Sequence, residues 1–173
     1  TDFATDVLPT PGGPTKQRIG PRSDFVSFKT AKYSVILSFT FSSIEVTGSN
    51  AEKANYYTSF YHALIQPNQI SDVDGMYRNA KDEIVKTSGE AFYSTFSLWD
   101  TYRAAHPFYT LMVPEKVGAF VTSLVEQGEA QGFLPIWGLW GKETYTMIAN
   151  HGVSVIAEAY RKGFRDFDAE RAF

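Results

Sequence analysis

The chain has 173 residues, of which 43% are hydrophobic, 20% are charged and 16% are aromatic, and its formal net charge is −3. This composition is that of a globular domain large enough to bury a core, and the negative charge argues against a nucleic-acid partner. The absence of cysteine excludes disulfides and thiolate metal sites. No apolar run approaches the ~20 residues that a membrane helix needs.

The first 48 residues predict an irregular arm followed by a β segment. Residues 1–24 are rich in proline and glycine, which prevents a long helix or a central strand. They also lack an initiator methionine and the basic and apolar regions of a signal peptide, so we expect a processed, trimmed or partial chain. Within residues 25–48, apolar side chains at 35, 37, 39 and 41 alternate with polar ones. This two-residue period is typical of a half-buried strand.

A helix is predicted next, and a long connection follows it. Ser49 and Glu52 have the spacing of a capping box, which predicts a helix that runs towards Ile65 and stops at Pro67. Residues 66–90 are polar and lack a clear period, and long connections inside compact domains are usually functional or disordered.

Two acidic residues in this connection permit two interpretations. Asp72 and Asp74 precede Gly75 in a pattern that resembles part of a calcium-binding loop. The third acidic ligand and the closing glutamate of an EF-hand are missing. The alternative is a turn built on aspartate side chains and on the glycine.

The stretch from 92 to 107 combines aromatic rings with charged side chains. Its pattern predicts a helix over residues 97–106 that ends before Pro107, with Asp100 beside Phe96 and Arg103. A carboxylate next to an aromatic wall suits a polyhydroxylated ligand, because the ring stacks on a sugar and the carboxylate accepts its hydroxyl hydrogens. The alternative is a core helix with a surface pair of Asp100 and Arg103.

The last third of the chain predicts more helices. Pro114 begins one whose apolar face contains Val117, Phe120, Val121, Leu124 and Val125, and which ends between residues 128 and 132. Trp137 and Trp140 lie in a short extended piece. A further helix is predicted over residues 142–162 with Met147, Ile148, Val155 and Ile156 in the core, and residues 164–173 resemble the start of another. Helices joined by aromatic loops favour a helical bundle or toroid over an α/β sheet.

Several sequence blocks occur together in one order. They are YTSFYHAL at 57–64, DVDGMY at 72–77, FSLWDTYRAAHP at 96–107, GFLPIW at 132–137, and ET, MI and NH at 143–144, 147–148 and 150–151. Together, over residues 50–173, they resemble the catalytic domain of glycoside hydrolase family 92, the calcium-dependent exo-acting α-mannosidases. Residues 1–46 show no such match.

The resemblance implies a mainly α fold, with residues 49–173 as the N-terminal part of an (α/α)6 toroid and the β segment 25–48 as the end of a β-sandwich domain. It implies hydrolysis of terminal α-linked mannose with inversion, in which one carboxylic acid protonates the leaving oxygen and another carboxylate activates water. Calcium is the implied cofactor. The implied partners are a mannose-containing glycan, the remainder of the catalytic domain and a β-sandwich domain, in a secreted, periplasmic or cell-surface protein.

The resemblance also implies roles for particular residues. Trp99 and Asp100 would line the subsite for the terminal mannose, and Trp137 would border it. Asp72 and Asp74 would lie near the mouth of the same subsite. Glu143 would contact calcium or sugar and is a candidate catalytic carboxylate.

Two departures from the family pattern leave an alternative open. Many members carry a glutamate directly after the tryptophan that corresponds to Trp137, and it serves as the general acid, whereas this chain has Gly138. The aspartates that act as general base lie downstream of the matching segment, so we expect a 173-residue segment alone to be inactive. The alternative functions are a non-catalytic carbohydrate-binding domain and a helical interaction domain.

Overall fold

The computed structural model describes residues 46–173, so the predicted arm and the strand at residues 35–41 lie outside the described residues. The helices are α1 (Asn50–Ala63), α2 (Leu98–Thr101), α3 (Ala105–Met112), α4 (Pro114–Gln131), α5 (His151–Arg161) and α6 (Ala169–Ala172). The strands are β1 (Asn68–Gln69), β2 (Met76–Arg78), β3 (Ile84–Lys86), β4 (Tyr93–Ser94), β5 (Phe96–Ser97), β6 (Trp137–Leu139) and β7 (Lys142–Glu143).

Helix α1 begins with the predicted capping box. The Ser49 hydroxyl accepts a hydrogen bond from the Glu52 amide, and the Glu52 carboxylate accepts one from the Ser49 amide at 2.8 Å. At the other end, the Tyr109 hydroxyl of α3 lies 3.0 Å from the Ala63 carbonyl and 2.9 Å from the Gln66 carbonyl. Tyr109 therefore fixes the end of α1 and the residues that follow it to the core. The Ala63 carbonyl is at the helix end and has no partner within the helix, so the hydroxyl satisfies it.

The connection from 66 to 90 is ordered rather than irregular. Strand β1 pairs with β4, and β2 pairs with β3 in a separate hairpin, both antiparallel. The hairpin is anchored to the core, because the ring of Tyr77 stacks on the buried Phe92 with centroids 3.7 Å apart. The buried carboxylate of Glu126 in α4 also accepts the Ser88 amide at 2.6 Å and the Tyr77 hydroxyl at 3.3 Å. Burial and this carboxylate raise the pKa of the Tyr77 hydroxyl well above its usual range.

The prediction of one helix over 97–106, ended by Pro107, was wrong. The chain forms strand β5, the single turn α2 and then α3, whose first turn contains Pro107. Proline is tolerated there because the first amides of a helix have no partner within it. The predicted contact between Asp100 and Arg103 is also absent from the ion pairs of the described residues. Arg103 instead donates to the Tyr102 hydroxyl at 3.1 Å.

Helix α4 is the centre of the core, as its sequence predicts. Pro114 occupies its first turn, and the chain leaves it at Gly132 with a φ of +92°, a conformation that favours glycine. Its whole predicted apolar face is buried. The core that packs around it includes Tyr93, Phe96, Leu98, Tyr109, Val113, Val155, Ile156 and Ala159.

The predicted helix over 142–162 forms only in its second half. Residues 142–150 make strand β7 and a loop in which Tyr145 and Ala149 have φ values of +57° and +103°, which a right-handed helix does not permit. Met147 and Ile148 are therefore exposed, contrary to prediction, whereas Val155 and Ile156 of α5 are buried as expected.

The described part of the chain is thus mainly α, with small antiparallel sheets around α4. Near the end, only the short helix α6 forms within the predicted element at residues 164–173. Among the helices of residues 46–173, none is both long and apolar enough to cross a membrane.

We predict that acid weakens this core through His106. Its imidazole is buried and stacks on Phe96, and burial lowers its pKa from 6.5 to about 4. The unfolded chain therefore binds a proton between pH 6.5 and 4 that the folded chain does not, and the free energy of unfolding falls as the pH decreases through that window. The expected loss is roughly 3 kcal/mol by pH 4.

Urea unfolding of the wild type and of His106→Phe at pH 7 and pH 4.5 tests this prediction. Phenylalanine preserves a ring beside Phe96 and removes the titration, so the variant should lose less stability on acidification. An equal loss in both proteins would contradict the assignment to His106.

Candidate functional site

A three-stranded sheet brings four of the predicted site residues into one region. Strand β5 pairs with β6, with Ser97 opposite Trp137, and β6 pairs with β7, with Gly138 opposite Glu143. Because α2 follows β5 directly, Trp99 and Asp100 emerge at the edge of this sheet.

Trp99 is held by a hydrogen bond from its indole nitrogen and by a contact with the imidazole of His151. Its indole Nε1 donates to the Ile148 carbonyl at 2.6 Å. Its ring meets the His151 imidazole in a T-shaped contact with centroids 4.8 Å apart and planes at 89°. Trp99 is half-buried, so part of its surface remains accessible to another partner.

Asp100 is exposed, and one side of its carboxylate is fixed. The Ser97 hydroxyl donates to Oδ2, which links the carboxylate to the strand that leads into α2. Oδ1 has no hydrogen-bond partner among the described residues. The arrangement presents a carboxylate oxygen that can accept hydroxyl hydrogens.

Glu143 is buried at 7% exposure, and its carboxylate gathers main-chain amides. It accepts the Ile136 amide at 2.6 Å, the Trp137 amide at 3.2 Å, the Thr144 amide at 2.9 Å and the Tyr145 amide at 3.2 Å. These amides come from both ends of the β6–β7 hairpin. The carboxylate therefore closes the hairpin and directs the backbone of the loop that follows.

Gly138 lies in β6, the central strand of the sheet, and faces a buried amide. A Cβ placed on it would lie 2.8 Å from Oε1 and 3.0 Å from Nε2 of Gln127, which is 1% exposed. The backbone conformation does not require a glycine here, because the φ of Gly138 is not in the left-handed region. Any side chain at 138 would need Gln127 to move.

The Asp72–Asp74 turn is a separate feature. Asp72 Oδ1 accepts the Val73 amide at 2.7 Å, Asp74 Oδ1 accepts the Met76 amide at 2.9 Å, and Gly75 has a φ of +84°. These are the contacts of a turn built on aspartate side chains. Across residues 46–173, no hydrogen bond, ion pair or ring contact links this turn to Trp99 or Asp100.

Comparison with known proteins places the chain in a family. The model of the glycosyl hydrolase family 92 catalytic domain matches residues 38–173. The chain belongs to glycosyl hydrolase family 92. No curated protein matched the chain.

Solved structures of the same family resemble the chain. The family GH92 alpha-mannosidase BT3965 from Bacteroides thetaiotaomicron is 39% identical, with a TM-score of 0.71, over 74% of this chain and 18% of that one. Its complex with mannoimidazole gives 42% identity and a TM-score of 0.64 over 67% and 16%. The family GH92 inverting mannosidase BT2199 from Bacteroides thetaiotaomicron VPI-5482 gives 29% identity and a TM-score of 0.53 over 67% and 16%. The chain therefore spans less than a fifth of the length of these relatives.

The described residues of this GH92 chain do not fit a calcium site of their own. No group of three or more histidine, aspartate or glutamate side chains converges anywhere in residues 46–173. The carboxylate of Glu143, the predicted metal ligand, already accepts four main-chain amides. Calcium prefers six to eight oxygen ligands, and the described residues bring no cluster of three carboxylates together for it.

His151 is the residue of this region that sequence reasoning did not select. It lies at the first turn of α5, and the ring of Tyr102 stacks on it at 4.0 Å with planes 4° apart. The sequence signal was the Asn150–His151 pair, which belongs to the family blocks but carries no chemistry by itself. Its contact with Trp99 depends on the loop from 144 to 150, whose sequence incorrectly predicted a helix.

We expect Glu143→Gln to destabilise the fold. The glutamine NH2 group would face main-chain N–H donors, so at least one buried amide would lose its acceptor. The cost of an unsatisfied buried donor is about 1–3 kcal/mol. Urea unfolding, with Glu170→Gln as an exposed control for the same chemical change, measures the effect. Equal stability of the two variants would show that the carboxylate does not hold the hairpin.

Proposed function

We propose that this chain supplies the mannose-binding part of a GH92 α-mannosidase, an enzyme that hydrolyses terminal α-linked mannose with inversion. The observation that carries the proposal is the anchored pair of Trp99 and Asp100 in a chain 39% identical to an alpha-mannosidase of the same family. The proposal includes the secreted, periplasmic or cell-surface location that the family resemblance implies.

In this proposal, Trp99 and Asp100 contact the same sugar ring. A face of the Trp99 indole stacks on the C–H face of the mannose, and Asp100 Oδ1 accepts hydroxyl hydrogens. Trp137 borders the site because it lies opposite Ser97 in the sheet. Asp72 and Asp74 are assigned to the mouth of the site by the family resemblance alone, and in their turn each has a carboxylate oxygen beyond the one that bonds the backbone.

The inverting reaction needs a proton donor and a carboxylate that activates water. Water attacks the anomeric carbon as the bond to the leaving oxygen breaks, and the leaving oxygen takes a proton from an acid. Position 138 has no side chain for this step, so the chain's own contribution is to bind and orient the sugar. We propose that the acid, the base and the remaining calcium ligands come from outside the described residues.

A non-catalytic carbohydrate-binding domain is the second candidate. The observation that favours it is Gly138, which carries no acidic side chain and whose backbone faces the buried amide of Gln127. Such a domain would keep the binding surface of Trp99 and Asp100 and would not break the glycosidic bond.

Hydrolysis of 4-nitrophenyl α-mannoside separates the two functions. Nitrophenolate is a good leaving group and needs little protonation, so its release does not depend on an acid at 138. In a protein that contains this chain together with the acid and the base, we expect turnover, a β-anomeric first product by proton NMR, a slower rate after calcium is chelated, and loss of activity in Asp100→Ala but not in the exposed control Glu170→Ala. Mannoside binding without turnover would favour the binding domain, and an α-anomeric product would contradict inversion.

A further inference from the structure

Three rings at the start of α5 form one cluster beside the proposed sugar site. The imidazole of His151 is stacked on Tyr102 at 4.0 Å, and it meets Trp99 at 4.8 Å with perpendicular planes. Trp99 and Tyr102 are three residues apart, so α2 presents both rings to the same side chain. His151 therefore lies between Trp99, which we propose binds the sugar, and Tyr102 at the end of α2.

The imidazole makes these contacts as a ring and not as a hydrogen-bonding group. Its Nε2 atom is buried and has no hydrogen-bond partner among the described residues. A buried polar atom without a partner is unfavourable, so the geometry is maintained by the packing of the ring. The histidine therefore contributes a ring surface against which Trp99 and Tyr102 pack.

The position of His151 is itself fixed by close packing of its helix. A Cβ on the neighbouring Gly152 would lie 3.4 Å from Cβ of Leu134 and 3.5 Å from the Pro135 carbonyl. One turn further, Val155 and Ile156 are buried in the core. The first turn of α5 therefore packs directly against the segment that leads into β6.

Trp99 is consequently restrained in two independent ways. The hydrogen bond to the Ile148 carbonyl fixes the nitrogen edge of the indole, and the perpendicular contact with His151 limits rotation about that edge. The carbonyl belongs to a loop whose path requires a φ of +103° at Ala149, a conformation that is sparsely populated for residues other than glycine. Backbone in such a conformation persists where the surrounding contacts impose it.

We infer that His151 is a positioning residue that holds the Trp99 indole in the orientation needed to stack on a sugar, and that it acts through its ring rather than through Nε2. The inference rests on the proposed function, because the orientation of Trp99 matters only if its indole binds a sugar. It identifies no additional ligand contact and no chemical step for His151.

The test compares His151→Ala with His151→Phe. Phenylalanine keeps a flat ring between Tyr102 and Trp99 and removes the nitrogen, whereas alanine removes the ring. We expect the NMR signal of the Trp99 indole N–H, assigned with Trp99→Phe, to shift and to exchange faster with solvent in the alanine variant. In the phenylalanine variant, it should remain close to that of the wild type.

The affinity for methyl α-mannoside is measured by calorimetry with calcium present. It should decrease in the variant whose Trp99 indole signal changes and stay the same in the variant whose signal does not. We expect His151→Ala to weaken binding about threefold to tenfold, the factor expected from loss of an aromatic pair. His151→Phe should bind as the wild type does. Weak binding by His151→Phe with a native indole signal would overturn the inference, since the nitrogen would then contact the sugar directly.

The design separates failure of this inference from failure of the proposed function. An unchanged Trp99 signal in His151→Ala would contradict positioning, whatever the sugar affinity. A wild type that binds no mannoside but responds at Trp99 as expected would contradict the sugar-binding role and would leave the packing role of His151 supported.

If His151→Ala does not fold, the wild type still provides a test. The indole of Trp140 is 63% exposed and serves as an internal reference. Hydrogen exchange at the Trp99 indole should be markedly slower than at Trp140. Tyr102→Leu, which removes the ring stacked on His151, should accelerate it. Equal exchange at the two tryptophans in the wild type would overturn the inference.

Discussion

The buried carboxylate of Glu143 is the interaction on which the candidate site depends. Four main-chain amides from both ends of the β6–β7 hairpin converge on its two oxygens. Charge-assisted hydrogen bonds of this kind are stronger than those between neutral groups. Their loss costs most where water is excluded, because no water molecule can take the place of the missing partner. The carboxylate thereby fixes Trp137 on one strand and turns the chain out of β7. The loop that begins there carries the Ile148 carbonyl to Trp99, and it ends where α5 begins.

The candidate site is consequently rigid around the Trp99 ring and limited in its chemistry. Trp99 is restrained by a hydrogen bond and by a ring, and Asp100 is oriented by Ser97. Below the same sheet, the Gln127 amide fills the space in front of Gly138. The described residues are thus suited to binding and orientation, which are general contributions to catalysis, and they do not bring a proton donor to the position next to Trp137.

Elements with local signals could be predicted from the sequence, and elements fixed by distant contacts could not. The capping box of α1, the proline at the start of α4 and the apolar face of α4 depend on neighbouring residues, and the structure confirms each of them. The path from 142 to 150 depends on amides that meet Glu143, so its apparent helical period was misleading. Trp99 and Asp100 were selected by chemistry, whereas the role of His151 required the fold.

The most direct test of this account is a titration of the 15N-labelled chain with methyl α-mannoside in the presence of calcium, followed by NMR. We predict that the largest shifts occur at the Trp99 indole N–H and at the amides of Asp100 and Trp137, and that Asp100→Ala abolishes them. Saturable binding whose shifts leave these groups unchanged would contradict the assignment of the sugar site to the β5–β6 edge. Shifts that persist in Asp100→Ala would also contradict it.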